Sequence, residues 1–245
     1  MKIYLVGGAV RDKILKKEIS DKDYVIIGST ESDINKLKEQ GFLQLGQRFP
    51  VFLHPETKDE YSFARIEKKI GKGYQGFEVE TKNVTLEDDL KRRDLTINAI
   101  AFDEETNQFI DPFGGINDLK NKILRNVSSA FSEDPVRVLR VARFKTRFSD
   151  FTIHDDLKDA VLEIKKSGEL KSLKKAWIEK ELEKVFLRDE KPSTFFNALK
   201  ELNVLDDIFP NLYNLIGVEQ NPTYHPEGDA YTHTMIVLDN IHSMT

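Results

Sequence analysis

Strand-like runs crowd the first half of this 245-residue chain and disappear from the second. Short apolar stretches rich in β-branched and aromatic residues stand at 3–6, 24–27, 42–45 and 51–54, with an alternating one at 59–65. From Pro135 onward the apolar residues recur at helical spacing. They do so first at Val136, Leu139 and Val141, then at Trp177, Leu182, Val185 and Phe186, a stripe read as core. That division predicts an α+β fold, with a small mixed sheet built first and helices after it. The composition changes near Asn126, the expected domain boundary, and the length suffices for two domains.

The strand at 3–6 runs into Gly7-Gly8, and a helical pattern at Val10, Ile14 and Leu15 begins at once. Two residues without Cβ let a ligand approach the backbone, and the open N–H groups of a first helical turn favour phosphate. Gly8 and Arg11 are therefore candidate phosphate-binding residues, the guanidinium adding a fork of donors. Asp21 and Asp23 open the run at 24–27, and side chains two apart on a strand share a face. Carboxylates so close repel unless a cation lies between them, a need that a hard divalent ion meets. Triphosphate on a glycine turn beside two metal-holding carboxylates is the layout of two-metal nucleotidyl transfer. The turn has neither the G-x-G-x-x-G of dinucleotide folds nor the Gly-Lys-Ser/Thr of a P-loop.

Further along, a helix is expected over 31–40 with Gly41 as its cap. Glu60, in the alternating strand, is the candidate third carboxylate or else a surface acid on an edge strand. Residues 68–76, glycine-rich and basic, read as a mobile loop over a nucleotide or RNA end, or as a solvated linker. Another helix is expected from about Asp88 through Ile100, with Asp94 and Asn98 four apart on one face and Arg93 beside them. A carboxylate and an amide suit ribose hydroxyls, and an arginine suits phosphate. Asp134-Pro135 reads as a helix cap, with Arg137 one turn on.

Composition excludes several chemistries. Without cysteine there is no disulfide, thiolate zinc site or cysteine nucleophile. No apolar run approaches membrane-spanning length and no signal-peptide pattern is present, so a cytoplasmic protein without membrane contact is expected. The net charge of −5 is unevenly spread: residues 137–147 hold five cations and no anion, whereas 201–245 contain no Lys or Arg. Arg140, and Arg143 after it, extend a basic face toward phosphate or RNA, while the lysine-rich 165–180 reads as a solvated face or an RNA contact.

Three motifs follow one another along residues 1 to about 235. They are Gly7-Gly8-Ala9-Val10-Arg11-Asp12 with Asp21-x-Asp23, then Arg92-Arg93-Asp94, then Glu133-Asp134-Pro135-Val136-Arg137-Val138-Leu139-Arg140. In them the chain resembles the bacterial tRNA nucleotidyltransferases, or CCA-adding enzymes, and their relatives the bacterial poly(A) polymerases. The resemblance implies a polymerase-β-like nucleotidyltransferase head at 1–125, a helical neck and partial body at 126–220, and the start of a truncated HD-like helical region at 221–245. It implies Mg2+ held by Asp21 and Asp23, Glu60 as third acid, and triphosphate at Gly8 and Arg11. It also implies nucleotide contacts from Arg93 and Asp94, and an Asp134/Arg137 pair that reads the incoming base, with Arg140 beside it. The implied reaction adds CMP and AMP from CTP and ATP to the 3′ end of tRNA without a template, and pyrophosphate leaves; no protein partner is implied. Poly(A) addition to RNA, and a non-catalytic RNA-binding protein, are the alternatives. His233 looks like the first histidine of an HD phosphohydrolase domain whose His-Asp pair does not follow. A lone imidazole without metal is expected there, in a helix over 232–243 whose Met235, Val237, Leu238 and Ile241 lack partner surface, as in a shortened chain.

Overall fold

The first strand, β1 (Lys2–Val6), runs into α1 (Gly8–Ile14) through Gly7, whose φ of 70° favours glycine. The computed structural model describes residues 2–19, 21–28, 31–45, 51–69, 71, 77–188 and 191–243. After α1 come β2 (Asp23–Ile27), α2 (Glu31–Glu39), β3 (Leu43–Leu45), β4 (Val51–Leu53), β5 (Glu60–Phe63), β6 (Ile66–Lys69) and β7 (Phe77–Glu80). Then follow α3 (Leu86–Lys91), β8 (Ala101–Asp103), β9 (Gln108–Ile110), α4 (Gly115–Asn121) and β10 (Ile123–Leu124). Seven strands make one mixed sheet in the order β3-β4-β5-β2-β1-β8-β9, in which β2 and β5 are parallel and the other neighbours antiparallel.

Alternation along β2 divides the core of this first unit. Val25 packs with Val6, Ala64, Leu90 and Ala99, whereas Ile26 packs with Leu37, Phe52 and Phe63. Each fully buried aliphatic of this kind contributes about 1.5–3 kcal/mol, and a one-residue slip would turn both sets to the wrong face. Asp23, two residues before Val25, therefore lies on the side of the sheet that carries Leu90 of α3. Glu60 is the register partner of Asp23 on the parallel strand and lies on that side too.

Two expectations change here. The helix expected from Asp88 to Ile100 is instead a short α3, held at its start by a Thr85/Asp88 capping box and ended by Arg92. The chain then bridges from Leu95 to Asn126 and makes a single 3-10 turn at Thr96–Asn98. Leu95, Ile97, Ala99 and Ile100 are all wholly buried, and backbone bonds Thr96 N–H to Arg125 O and Val127 N–H to Asp94 O replace helical ones. In the 68–76 segment, Lys68 and Lys69 belong to β6, which pairs with β7; residues 70 and 72–76 lie outside the described residues.

The division between the two units falls between Phe131 and Ser132. The second contains α5 (Val136–Arg147), a two-residue β11 (Thr152–Ile153) where only helix was expected, and α6 (Asp155–Ser167). It continues with α7 (Lys175–Arg188), α8 (Ser193–Glu201), α9 (Leu205–Ile208), α10 (Pro210–Tyr213) and α11 (Ala230–Ser243). Helix α5 packs Val138, Leu139, Val141 and Ala142 inward, with α7 and α8 as neighbours. The α7 stripe is only partly core, since Val185 is buried but Phe186 is exposed. Helix α11 starts two residues earlier than expected because Asp229 caps it, accepting from Thr232 N–H and its hydroxyl. It buries Tyr231 and Met235 and leaves Ile236, Val237 and Ile241 exposed. No described helix is long and apolar enough to cross a membrane.

Candidate active site

Three groups meet at Gly7. A Cβ placed on that residue would stand 3.0 Å from Arg93 Nη1 and 3.7 Å from Asp23 Oδ2, so a side chain there would push the guanidinium aside by a few tenths of an ångström. The glycine turn, the carboxylate at the head of β2 and the guanidinium that follows α3 thus share one location. Arg11 lies below the turn and is 3 % exposed. Its Nε and Nη2 donate to Asp12 at 3.0 and 3.2 Å, and its Nη1 donates to Asn98 Oδ1 at 2.6 Å. Asn98 Nδ2 in turn donates to Asp94 Oδ1 at 3.0 Å, and that same oxygen accepts the Leu95 N–H at 2.8 Å. The expected Asp94/Asn98 pair is therefore real, although a 3-10 turn makes it rather than a helix.

Beneath Arg93 lies Asp89, wholly buried. It accepts from Arg65 N–H at 3.2 Å, from Arg92 Nε and Nη2 at 3.0 and 2.7 Å, and from Arg93 Nη2 at 3.2 Å. Burial alone would raise this carboxyl, but Arg93 and Arg92 outweigh it and hold it below the ordinary aspartate value. Arg92 also reaches Glu67, which accepts from Arg65 Nε at 2.7 Å. Arg93 Nε is buried and has no hydrogen-bond partner among the described residues, and its Nη1 makes a long 3.4 Å bond to Asn98 O.

Asp21, Asp23 and Glu60 are exposed. Asp23 opens β2, while Asp21 precedes the strand, so the two-residue strand rule does not fix both side chains. The ladder does extend one step beyond the strand, since Glu60 N–H donates to Lys22 O at 2.9 Å. Each carries the oxygen donors that a hard divalent cation takes, but among the described residues their carboxylates are not gathered into a cluster able to hold a metal ion.

In the second unit, Asp134 Oδ1 accepts the Val136 N–H at 3.0 Å, so its capping contact exists, although the helix boundary falls at Pro135. Arg137 is 8 % exposed on the first turn of α5, and Arg140, one turn on, lies 5.9 Å from the Phe144 ring. Arg143 is engaged within its own unit. Its Nε donates to Glu181 Oε2 at 2.6 Å and its guanidinium lies 4.4 Å from the Phe144 ring. Glu181 comes from α7 and also accepts from Lys184 at 2.8 Å. Burial would raise Glu181, but Arg143 and Lys184 pull it below its usual value. Lys184 does not rise in response: burial pushes it down, and repulsion from Arg143 and Arg140 adds to that against the pull of Glu181.

A family model described as the poly A polymerase head domain matches residues 3–125. The chain belongs to that family. Among curated relatives it is 49% identical over 244 residues to the "Multifunctional CCA protein" of Pseudoalteromonas atlantica, covering 98% of this chain and 58% of that protein. It is 47% identical over 248 residues to the protein of the same name from Mannheimia succiniciproducens, covering 100% of this chain and 58% of that one. It therefore spans under two thirds of their length. Among solved structures, a tRNA nucleotidyltransferase complexed with a primer tRNA and an incoming ATP analog matches at TM-score 0.66 and 29% identity. That match covers 92% of this chain and 63% of the other. A complex of a CCA-adding enzyme with CTP matches at TM-score 0.67 and 25% identity, covering 92% and 50%.

Seen as a member of the poly A polymerase head family, the chain holds residues that sequence reasoning missed. Asp89 and Glu67 are not among the residues that the sequence pattern singles out. Their one visible signal was the i,i+3 and i,i+4 spacing of Asp89 to Arg92 and Arg93. The lone imidazole expected at His233 is also corrected. Glu227 Oε1 contacts His233 Nδ1 at 2.5 Å and His225 Nδ1 at 3.2 Å, and the two rings stand edge to face at 4.7 Å. Among the described residues these three form a group able to hold a metal ion, their ligand atoms within 4.8 Å of one another. The Glu227 backbone N–H and the two rings hold the carboxyl down at about 2.

Proposed function

We propose that this chain is the nucleotidyltransferase head, with its adjoining helices, of an enzyme that adds CMP and AMP to the 3′ end of tRNA. The observation that carries the reading is the meeting of the Gly7 turn, the Asp23 carboxylate and the Arg93 guanidinium at one place. The names of the relatives, and the CTP, ATP analog and primer tRNA in the similar solved structures, support the choice of substrates. A cytoplasmic site of action fits a tRNA substrate.

Asp21 and Asp23 would hold Mg2+, with Glu60 as the third acid beside Asp23. Such an ion, when bound, neutralises triphosphate charge and makes a hydroxyl easier to deprotonate. The chain supplies the rest. Gly7 and Gly8, having no Cβ, let Arg93 and Arg11 close on the turn, and Arg93 offers phosphate oxygens its Nε and the adjoining Nη1. Arg11, bonded to Asp12 and Asn98, holds the turn from below and adds its charge. Asp94 and Asn98 present a joined carboxylate and amide to the ribose. In the reaction the terminal 3′ hydroxyl of the RNA gives its proton to water, and its oxygen bonds to the α-phosphorus. The bond from that phosphorus to the bridging oxygen breaks, and Arg93 meets the charge that develops on departing pyrophosphate.

Base choice falls to Asp134 and Arg137. The carboxylate accepts from the amino group of cytosine or adenine, and the guanidinium donates to the adjacent ring acceptor; guanine and uracil present the reverse order. The bond from Val136 N–H to Asp134 fixes the carboxylate beforehand.

Incubation with tRNA lacking its CCA end, all four nucleoside triphosphates and Mg2+ is the test. Two C and one A followed by arrest is the expected product, a growing A tail would indicate a poly(A) polymerase, and no incorporation would sink the catalytic reading. Asp23→Ala should lose incorporation and also weaken Mn2+ binding read by electron paramagnetic resonance, while tRNA binding survives.

A further inference from the structure

We propose that Asp89 is a positioning residue for nucleotide binding, holding Arg93 so that the other end of its guanidinium faces the Gly7 turn. The inference rests on the nucleotidyltransferase reading above. Three nitrogens of Arg93 have three separate fates. Nη2 is bonded to Asp89, Nη1 lies against Gly7 with a long bond to a carbonyl, and Nε is buried with no partner among the described residues. A buried donor left unsatisfied is costly, so the fold keeps a defect that an anionic ligand at the turn would repair.

The surrounding charges lead to the same place. Arg65, Arg92 and Arg93 face two carboxylates, Asp89 and Glu67. Arg92 divides its donors between both acids, and Arg65 bonds Glu67 through Nε and Asp89 through its backbone N–H. Arg93 is the member of the set that touches the turn. A long side chain fixed in this way has lost its rotamer freedom before the ligand arrives, the usual source of affinity from preorganisation. Asp89 reaches no ligand itself, because it is fully buried. Its effect passes through Arg93.

Equilibrium dialysis of CTP with Mg2+ against the whole chain tests this, using Asp89→Glu, Arg93→Ala and the double variant, with near-UV circular dichroism to count the folded fraction. Asp89→Glu keeps the charge but shifts the carboxylate, and should weaken CTP binding tenfold or more. In the Arg93→Ala background the same change should alter affinity less than twofold. An equal loss in both backgrounds would show general loosening and overturn the positioning role. Should Asp89→Glu not fold, Arg93→Lys gives a second reading, since Asp89 stays paired with Arg92. A lysine has one nitrogen to share between Asp89 and the ligand, so wild-type affinity in Arg93→Lys would overturn the proposal. Failure of the wild type itself to bind CTP would remove the nucleotidyltransferase reading and this inference with it. Wild-type binding that Asp89→Glu leaves unchanged would remove the inference alone.

Discussion

Asp89 in the first unit and Glu181 in the second do the same electrostatic work with opposite results. Each is a buried carboxylate that gathers two cations from a stretch rich in them. Around Glu181 both cations are spent: Arg143 is bonded and stacked on Phe144, and Lys184 lies partly in water. Around Asp89, Arg93 is bonded through Nη2 and, at a long 3.4 Å, through Nη1, while its buried Nε has no partner among the described residues. A cluster of positive side chains therefore says little about binding until the acids that neutralise it have been counted.

The largest expected difference between the two clusters is in stability. Asp89→Ala strands two largely buried guanidiniums and should cost about 3–5 kcal/mol in urea unfolding. Glu181→Ala should cost less, about 1–3 kcal/mol, because Lys184 can turn to solvent. Equal costs would break the comparison. Next in size is base discrimination. Arg137→Ala should reduce the preference for CTP and ATP over UTP and GTP by about 1–3 kcal/mol, roughly fivefold to 150-fold. Arg143→Ala, which removes a cation already tied to Glu181, should leave that preference unchanged in competition assays while lowering stability.

The smallest effect concerns acid. Both carboxyls sit below their ordinary values of 3.8 and 4.5. A depressed folded value contributes stability that is fully present above the ordinary value and is lost as pH falls through the folded one. Unfolding free energy should thus hold steady down to about pH 5 and decline below 4.5 and then 3.8. In Glu181→Gln the first part of that decline should flatten in equilibrium unfolding measured at each pH; an unaltered slope would mean that other acids dominate it.

The same contrast explains what the amino-acid pattern disclosed. The strands, the glycine turn and the Asp94/Asn98 pair were legible because alternation and short spacings are local quantities. The helix expected over 88–100 was misread because Leu95, Ile97 and Ala99 alternate, a period-two signal lost beside the helical start at Leu86–Lys91. Glu181 was invisible as the partner of Arg143, which lies 38 residues away on another helix. Asp89 stood in plain view at i,i+3 and i,i+4, but its burial, which makes it matter, depends on β6 and the segment after α3 closing around it.

The single parallel pair in the sheet sets an order of assembly. Parallel neighbours need a crossover, and here α2, β3 and β4 must be traversed before β5 can lie beside β2. Strands β1 and β2 meet over a shorter span, so Gly7 and Asp23 come together early in refolding, whereas Glu60 arrives after a longer loop has closed. The Glu60 amide, bonded to Lys22 O, should accordingly gain exchange protection later than the amides of β1. On that order of events the glycine turn and Asp23 would stand together before Glu60 joins them, and the first unit would lack its full set of acids until β5 docks.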